Sequence, residues 1–187
     1  TYGRKTPADA EVVVLGIDEA TLDLENASSA FPEDIEASRP LQLMNRLFPW
    51  SREVYAHVID QLLAAGAKTV VVDLLMPAAN EEFPEGDALF RDCLERHAGR
   101  VVLGAELAAR QVGQGVSDTV HFPHPGLIEH GWPVDDRIGL AMYATDDDGV
   151  IRRTSFLRQL DARLPERQIH TFAAATLTIG TNRALYS

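Results

Sequence analysis

Three apolar runs in this chain end in acidic residues, and those acids are the first candidates for chemistry. The runs are VVVLGIDE, ending at Asp18 and Glu19, VVVD, ending at Asp73, and VVLGAE, ending at Glu106. A run that is apolar at every position is typical of a strand buried on both faces of a parallel sheet. Because ligands bind at the carboxyl ends of such strands in open α/β sheets, we expect these acids to share one ligand-binding edge.

These edge carboxylates suggest one kind of cofactor site. Asp18, Asp73 and Glu106 could hold a divalent cation, because hard cations take oxygen ligands. We predict no other cofactor. The structural alternative is that each acid caps the turn after its strand or pairs with an arginine. Acids at strand ends commonly have such roles, so the sequence favours the structural alternative.

Three further residues are candidates for ligand binding: Trp50, Arg52 and Arg153. Arg52 falls in the first turn of a predicted helix, where a cation opposes the helix dipole and needs a partner such as an edge carboxylate. Trp50 precedes that helix and could instead close the top of the core. Arg152 and Arg153 follow a predicted turn, and alternation along a strand would point only one of them at a given site.

Other chemical signals in the chain are weak. It has no G-x-S-x-G elbow and no glycine-rich phosphate loop. His121 and His124 are separated by a proline and have no cysteine partners for zinc, which favours a surface loop. Cys93 is the only cysteine, and it lies mid-helix in DALFRDCLERH. We predict that it is a buried, inert thiol.

Composition limits the class of protein. The chain has 187 residues, 45% hydrophobic and 24% charged, as expected for a globular domain. A net charge of −11 disfavours nucleic acid and anionic membrane surfaces as partners. No run of about 18 apolar residues is present to span a membrane. We predict a single domain over residues 1–187, and its abrupt ends suggest a piece of a longer protein.

The hydrophobic periodicity predicts a layered α/β sandwich with a mixed sheet. Its first three strands are predicted to run parallel, joined by crossover helices. A C-terminal antiparallel hairpin and a final helix should follow. The predicted elements are strands at 12–17, 68–73 and 101–107, helices from Ser51 to Gly66 and from Asp87 to Gly99, and a hairpin of 138–143 with 150–157 around the DDDG turn.

The remaining stretches connect these elements. Residues 1–10 read as a lead-in, and residues 23–48 form a long insertion with one short helix at 41–47. Residues 111–120 are rich in glycine and glutamine and are predicted to form a turn. The last apolar helix is predicted at residues 169–179, and residues 170–187 are assigned as the C-terminal helical segment.

Five stretches in one order carry a resemblance to a known family. They are IDEATL at 17–22, PWSR at 49–52, AAGAKTVVVDLLM at 64–76, DALF at 87–90 and DGVIRR at 148–153. The ordered set resembles CHASE type two, a family of extracellular sensor domains. The matching positions are Asp18, Pro49, Trp50, Arg52, Asp73, Asp87, Asp148, Gly149 and Arg153. The insertion at 23–48 is longer than the corresponding link in the family.

The resemblance implies a sensory input domain without catalytic activity of its own. Such a domain lies outside the cytoplasm, in the periplasm or extracellular space. It is flanked by transmembrane helices of a bacterial receptor, the first leading into residues 1–10. The output is an adenylate or diguanylate cyclase, a histidine kinase or a serine/threonine kinase. The implied partners are an unknown small ligand or ion and a second copy of the chain.

Two other functions are consistent with the same sequence. The domain could be a protein-interaction or dimerisation module that uses residues 23–48 and binds no small ligand. It could also be a metal-dependent hydrolase that uses Asp18 and Asp73. In the sensory hypothesis, the ligand would bind one of two conformations better and so shift the population passed to the membrane helices.

Overall fold

The computed structural model describes residues 12–24, 31–112, 115–141, 146, 148–151, 155–160, 164 and 167–181. The chain divides into two compact units, Thr1–Trp50 and Ser51–Ser187. Among the described residues, the first unit holds three short helices and the second holds six strands and three helices. None of the described helices combines the length and apolar character needed to cross a membrane.

The first unit contains helices α1 Glu19–Leu22, α2 Pro32–Ala37 and α3 Arg39–Met44. Helices α2 and α3 each have a proline in their first two positions, where the missing amide proton costs nothing. The predicted insertion is therefore partly helical. Its predicted short helix occurs a few residues earlier than expected, and α2 was not predicted.

The predicted strand at 12–17 is wrong. Residues 12–18 have no assigned secondary structure, and Val13 and Val14 are 79% and 86% exposed. Valine-rich runs fit a pleated, half-buried surface, but a strand forms only where its backbone groups pair with a neighbour. None of the described strands pairs with this segment. The run therefore has the residue composition of a strand but no neighbouring strand among the described residues to pair with.

The second unit is organised around one central strand. Strand β2, Val101–Val112, has β1, Val70–Val72, parallel on one side and β4, Ile138–Leu140, parallel on the other. The far half of β2 pairs antiparallel with β3, Gly115–His121. Strands β5, Leu157–Gln159, and β6, Gln168–His170, form an antiparallel pair before helix α6, Phe172–Thr181. The predicted fold class is confirmed.

One helix precedes β1 and another follows it. Helix α4, Arg52–Ala64, is capped by Ser51, whose Oγ accepts a hydrogen bond from the Glu53 amide at 3.3 Å. It ends as predicted at Gly66, with φ of 101°. Helix α5, Pro84–Arg96, begins three residues before the predicted cap at Asp87. That predicted cap is wrong, because Pro84 starts the helix and places Asp87 inside its first turn.

In the C-terminal half, the strands have different boundaries and pairing partners from those predicted. Residues 111–120 were predicted as a turn, but 111–112 complete β2 and 115–120 form most of β3; residues 113 and 114 lie outside the described residues. The segment predicted as the first hairpin strand pairs parallel with β2 at Ile138, so it does not extend the sheet antiparallel. The antiparallel hairpin is present but consists of β5 and β6. The predicted Asp-Gly turn forms, with Gly149 donating to the Asp146 carbonyl at 2.8 Å.

The core lies between the sheet and helices α4 and α5. Phe90, Cys93 and Leu94 are fully buried on α5, as are the first residues of β2. Two residues predicted to be buried are not: Val58 is 38% exposed and Leu89 is 46% exposed. Their helices are amphipathic as predicted, but Ala56 is buried on α4 and Phe90 on α5. The buried face is set by the packing partner and not by the helix alone.

We predict that a methyl group at Gly139 would be costly. A Cβ there would approach the Phe172 Cα to 2.8 Å, where β4 packs against α6. Gly139→Ala should lower the free energy of unfolding by about 1–3 kcal/mol, because a packed backbone must move. Urea denaturation of the purified domain measures this.

Gly104→Ala is the matched control, because Gly104 is the ladder partner of Gly139. A Cβ at Gly104 would meet its nearest atoms at 3.6–3.9 Å, an ordinary contact. We expect this variant to change stability by less than about 1 kcal/mol. Equal effects of the two substitutions would contradict the close approach of β4 and α6.

Candidate functional site

Asp18 and Glu19, the first predicted site residues, lie at the start of α1. Asp18 caps this helix: its Oδ1 accepts from the Thr21 amide at 2.9 Å and from the Thr21 hydroxyl at 2.6 Å. Hydrogen bonds from the Thr21 hydroxyl and then from its amide lower the pKa of Asp18. Asp18 therefore has the capping role that the sequence analysis gave as the structural alternative. Glu19 is the first residue of the helix and is exposed.

Arg52 finds a carboxylate partner, but it is not an edge acid. Its Nη1 donates to Asp87 Oδ2 at 2.7 Å, and its Nη2 donates to the Ala78 carbonyl. The side chains of Arg52 and Asp87 are only 9% and 17% exposed. The prediction that an edge carboxylate pairs with Arg52 was wrong. Helix packing brings the first turn of α5 to the first turn of α4, and this packing cannot be read from the sequence.

A loop is held between these two helix starts. Asp87 Oδ2 also accepts from the Asn80 amide at 2.8 Å. Asn80 Oδ1 in turn accepts from the amides of Glu82 and Phe83 at 3.2 and 3.1 Å. Each partner of the buried pair thus makes a second bond to this loop, which is what a buried ion pair requires for stability. The role of this network is structural.

The other predicted site residues have different environments. Trp50 is 3% exposed, and its ring meets that of Phe48 edge-on at 5.5 Å. Asp73 follows β1 and is exposed. Glu106 is half-exposed on β2, with Oε2 3.9 Å from His121 Nδ1 on the paired strand. Arg153 lies outside the described residues. Neither Asp73 nor Glu106 joins a group of three metal-ligating side chains among the residues described.

A polar cluster that the sequence analysis missed lies further along α4 and α5. Asp60 Oδ1 lies 2.6 Å from His97 Nε2, and the two Asp60 oxygens accept from Arg96 Nη2 at 3.1 and 2.9 Å. The Cys93 sulfur is 3.8 Å from Asp60 Oδ1. A signal was available, because Cys93 and His97 are four apart on one helix face. Asp60 is 33 residues away from Cys93 in sequence, and only packing shows it.

The electrostatics of this cluster follow from its contacts. Burial acts against ionisation of Asp60, but hydrogen bonds from His97 and Arg96 outweigh it and hold the pKa of Asp60 below its usual value. Burial also raises the pKa of the Cys93 thiol to about 11. The predicted burial of Cys93 is thus confirmed, with a neutral sulfur beside an ionised carboxylate.

A groove beside β4 is a second place where a small molecule could bind. It encloses about 230 Å³. Asp136 faces His170 across it, with Oδ1 and Nδ1 3.8 Å apart, while Asp135 is held by a bidentate bond to Arg137. Both polar and apolar side chains therefore line the groove. The lining residues are Pro133, Val134, Asp135, Asp136, Ile138, Leu157, Gln168 and His170.

Comparison with known proteins adds a family to this geometry. The family model described as CHASE2 domain matches residues 2–185, nearly the whole chain. The chain belongs to the CHASE2 family. No curated protein and no solved structure matches the chain significantly. CHASE2 domains are extracellular sensor domains of membrane receptors, so the predicted resemblance is confirmed and a sensory role follows from it.

We expect the Arg52–Asp87 pair to be essential for the stability of this CHASE2 domain. Arg52→Ala would leave the Asp87 carboxylate buried without its cation, which should cost about 3 kcal/mol or more. Arg91→Ala is the matched control, because the Arg91–Asp92 pair on α5 is 46% and 57% exposed at 3.5 Å. Exposed pairs of that kind contribute about 0–1 kcal/mol. Similar losses for both variants in urea denaturation would contradict the structural role of Arg52.

We also expect the Asp60 cluster to stabilise the CHASE2 domain in a pH-dependent way. The folded pKa of Asp60 is depressed, so its contribution is present above the unfolded value of 3.8 and is lost as pH falls through the folded value. Asp60→Asn should therefore lower the free energy of unfolding by about 0.5–1 kcal/mol at neutral pH, a figure reduced for solvent screening. The difference from wild type should shrink below about pH 4.

The measurement is urea denaturation at neutral and acidic pH in the presence of a chelator. Asp92→Asn is the control, since that carboxylate is 57% exposed. A difference between Asp60→Asn and wild type that stays constant with pH would show that the loss is one of packing alone.

Proposed function

We propose that this chain is the extracytoplasmic input domain of a bacterial transmembrane signalling receptor and is not itself an enzyme. The match of the CHASE2 model to residues 2–185 carries this proposal. The receptor's output is a cyclase or a protein kinase on the other side of the membrane. The domain recognises a small ligand or ion and passes a conformational change to flanking membrane helices.

The groove beside β4 supports a small-molecule ligand. Ligand pockets usually enclose about 300–1,000 Å³, so a groove of about 230 Å³ suits a compact molecule or an ion. Asp136 and His170 could bind a polar or cationic group, and Ile138 and Leu157 offer apolar contact. The exposed carboxylates Asp73 and Glu106 are the alternative candidates for binding a divalent cation.

The position of the groove suggests how binding could be transmitted. His170 ends β6, and the next residue, Thr171, makes a parallel bridge to Leu140 of β4. Helix α6 begins directly afterwards and packs on β4 at Gly139. A ligand that contacts both Asp136 and His170 would therefore bias the position of the element that starts α6. A switch from mostly off to mostly on requires about 5.5 kcal/mol of differential affinity.

A thermal-shift screen tests the ligand hypothesis. It should cover amino acids, organic acids, nucleotides and divalent cations. A ligand present at a hundred times its dissociation constant should stabilise the domain by about 2.7 kcal/mol. The shift should be lost in His170→Gln and Asp136→Asn and kept in Asp92→Asn. Loss in Asp73→Asn instead would place the ligand at the carboxyl edge, and a flat screen would contradict ligand sensing.

Membrane sidedness has its own test. In cells that make the whole receptor, Asp92→Cys should react with a membrane-impermeant thiol reagent, because Asp92 is 57% exposed. The receptor without this change is the control, since Cys93 is buried and should stay unlabelled. Labelling only after the cells are lysed would contradict an extracytoplasmic location.

A dimerisation module is the second candidate function, and one observation favours it. Residues 12–15 are four consecutive large apolar residues, each 63–86% exposed. Exposed apolar strand-formers of this kind mark association sites. A second copy of the chain is the proposed partner. If this holds, Val13→Lys with Val14→Lys should convert a dimer to a monomer in sedimentation experiments, without a change in thermal stability of the monomer.

A further inference from the structure

The packing of α4 against α5 brings together three side chains with metal-ligating atoms. Asp60 comes from α4 and Cys93 from α5, and His97 is the residue that caps the C-terminal end of α5. Their carboxylate oxygen, sulfur and imidazole nitrogen all lie within 4.8 Å of one another. We propose that Asp60, Cys93 and His97 form a binding site for a zinc-class transition-metal ion. The proposal goes beyond the sensory role and does not depend on it.

The chemistry of the donors selects the kind of ion. Thiolate and imidazole favour zinc and its neighbours, whereas calcium and magnesium require oxygen ligands. Three protein ligands leave one coordination position open to water or to another molecule, as in zinc sites that are not purely structural. The ion proposed here therefore differs in class from the divalent cation that the edge carboxylates would take.

The geometry needs little change to hold an ion. With metal–ligand distances of about 2.0–2.3 Å, the donor atoms of a tetrahedral site lie about 3.3–3.8 Å apart. The observed separations from Asp60 Oδ1 are 2.6 Å to His97 Nε2, which is shorter than that range, and 3.8 Å to Cys93 Sγ, which is at its upper end. Small side-chain rotations would adjust them. On binding, the thiol gives its proton to solvent and the sulfur–metal bond forms.

The three ligands differ in burial, and the more exposed ones face solvent. Cys93 is completely buried, and its sulfur is 3.6 Å from the Ala56 carbonyl. His97 and Asp60 side chains are 20% and 40% exposed. An ion could therefore approach the sulfur from solvent by way of the partly exposed His97 and Asp60 side chains, without opening the core. Both donor helices are anchored elsewhere by the Arg52–Asp87 pair, so the ligands are held in place before the ion arrives.

Arg96 modifies the site. Its Nη2 donates to both Asp60 oxygens, and its side chain is 55% exposed. With Oδ1 on the ion, Oδ2 can keep the bond to Arg96, which would then orient the carboxylate from outside the coordination shell. The guanidinium charge opposes a cation nearby. We therefore expect Arg96→Gln to tighten metal binding severalfold, whereas loss of any ligand weakens it.

Cobalt titration of the chelator-treated protein tests the proposal, because Co²⁺ reports its own ligands. We expect a near-ultraviolet thiolate charge-transfer band, together with the intense visible bands of a tetrahedral ion. Zn²⁺ should abolish both. Cys93→Ser should lose the charge-transfer band. His97→Gln and Asp60→Asn should weaken affinity at least about tenfold, or about 1.4 kcal/mol.

His57→Gln is the matched control, because His57 is exposed on α4 one turn before Asp60. It should leave the titration unchanged. Binding without a charge-transfer band, or binding insensitive to His97→Gln, would mean that the ion occupies surface carboxylates or other histidines, and would overturn the proposal. Absence of any binding would overturn it too. If Cys93→Ser fails to fold, His97→Gln decides, since His97 is at the end of α5 and partly exposed.

Discussion

The buried ion pair between Arg52 and Asp87 is the interaction on which the rest of the second unit depends. A charge pair that is this little exposed is stable only when each partner has further hydrogen bonds, and here the loop around Asn80 supplies them. The pair sets the first turns of α4 and α5 side by side. Both helices then run in the same direction. The second contact, between Asp60 and the end of α5, follows from this alignment.

The helix pair therefore has a polar contact at each end and apolar packing between. Phe90, Cys93 and Leu94 fill the middle against Ile59 and the first residues of β2. At one end the charges are buried and structural. At the other end the charges reach solvent, and they surround the only thiol in the chain. That difference in exposure is why the second contact is open to chemistry and the first is not.

Strand β2 explains the acid at Glu106 in a way that the apolar run alone did not suggest. From Val101 to Ala105 the strand is buried between β1 and β4, whereas from Glu106 onward it pairs with β3 as one arm of an antiparallel hairpin. The charge appears where the strand leaves the layered core. The groove near Asp136 and His170 is lined by the start of β4 and the end of β6, just before α6. The sensory proposal therefore places binding beside the element that would carry the response.

The sequence by itself determined the class of fold, the identity of the family and the main helices. Apolar periodicity located α4 and α5, Ser51 and Gly66 marked the ends of α4, and the ordered motifs identified the CHASE2 family. These signals are local, since caps and amphipathic faces depend on neighbours within a few residues. The tertiary structure alone decided the rest. It left residues 12–17 without strand pairing, gave Arg52 its partner in Asp87, and placed Asp60 beside Cys93 and His97. Each of these depends on contacts between residues far apart in the chain, and no local pattern encodes which helix face meets which.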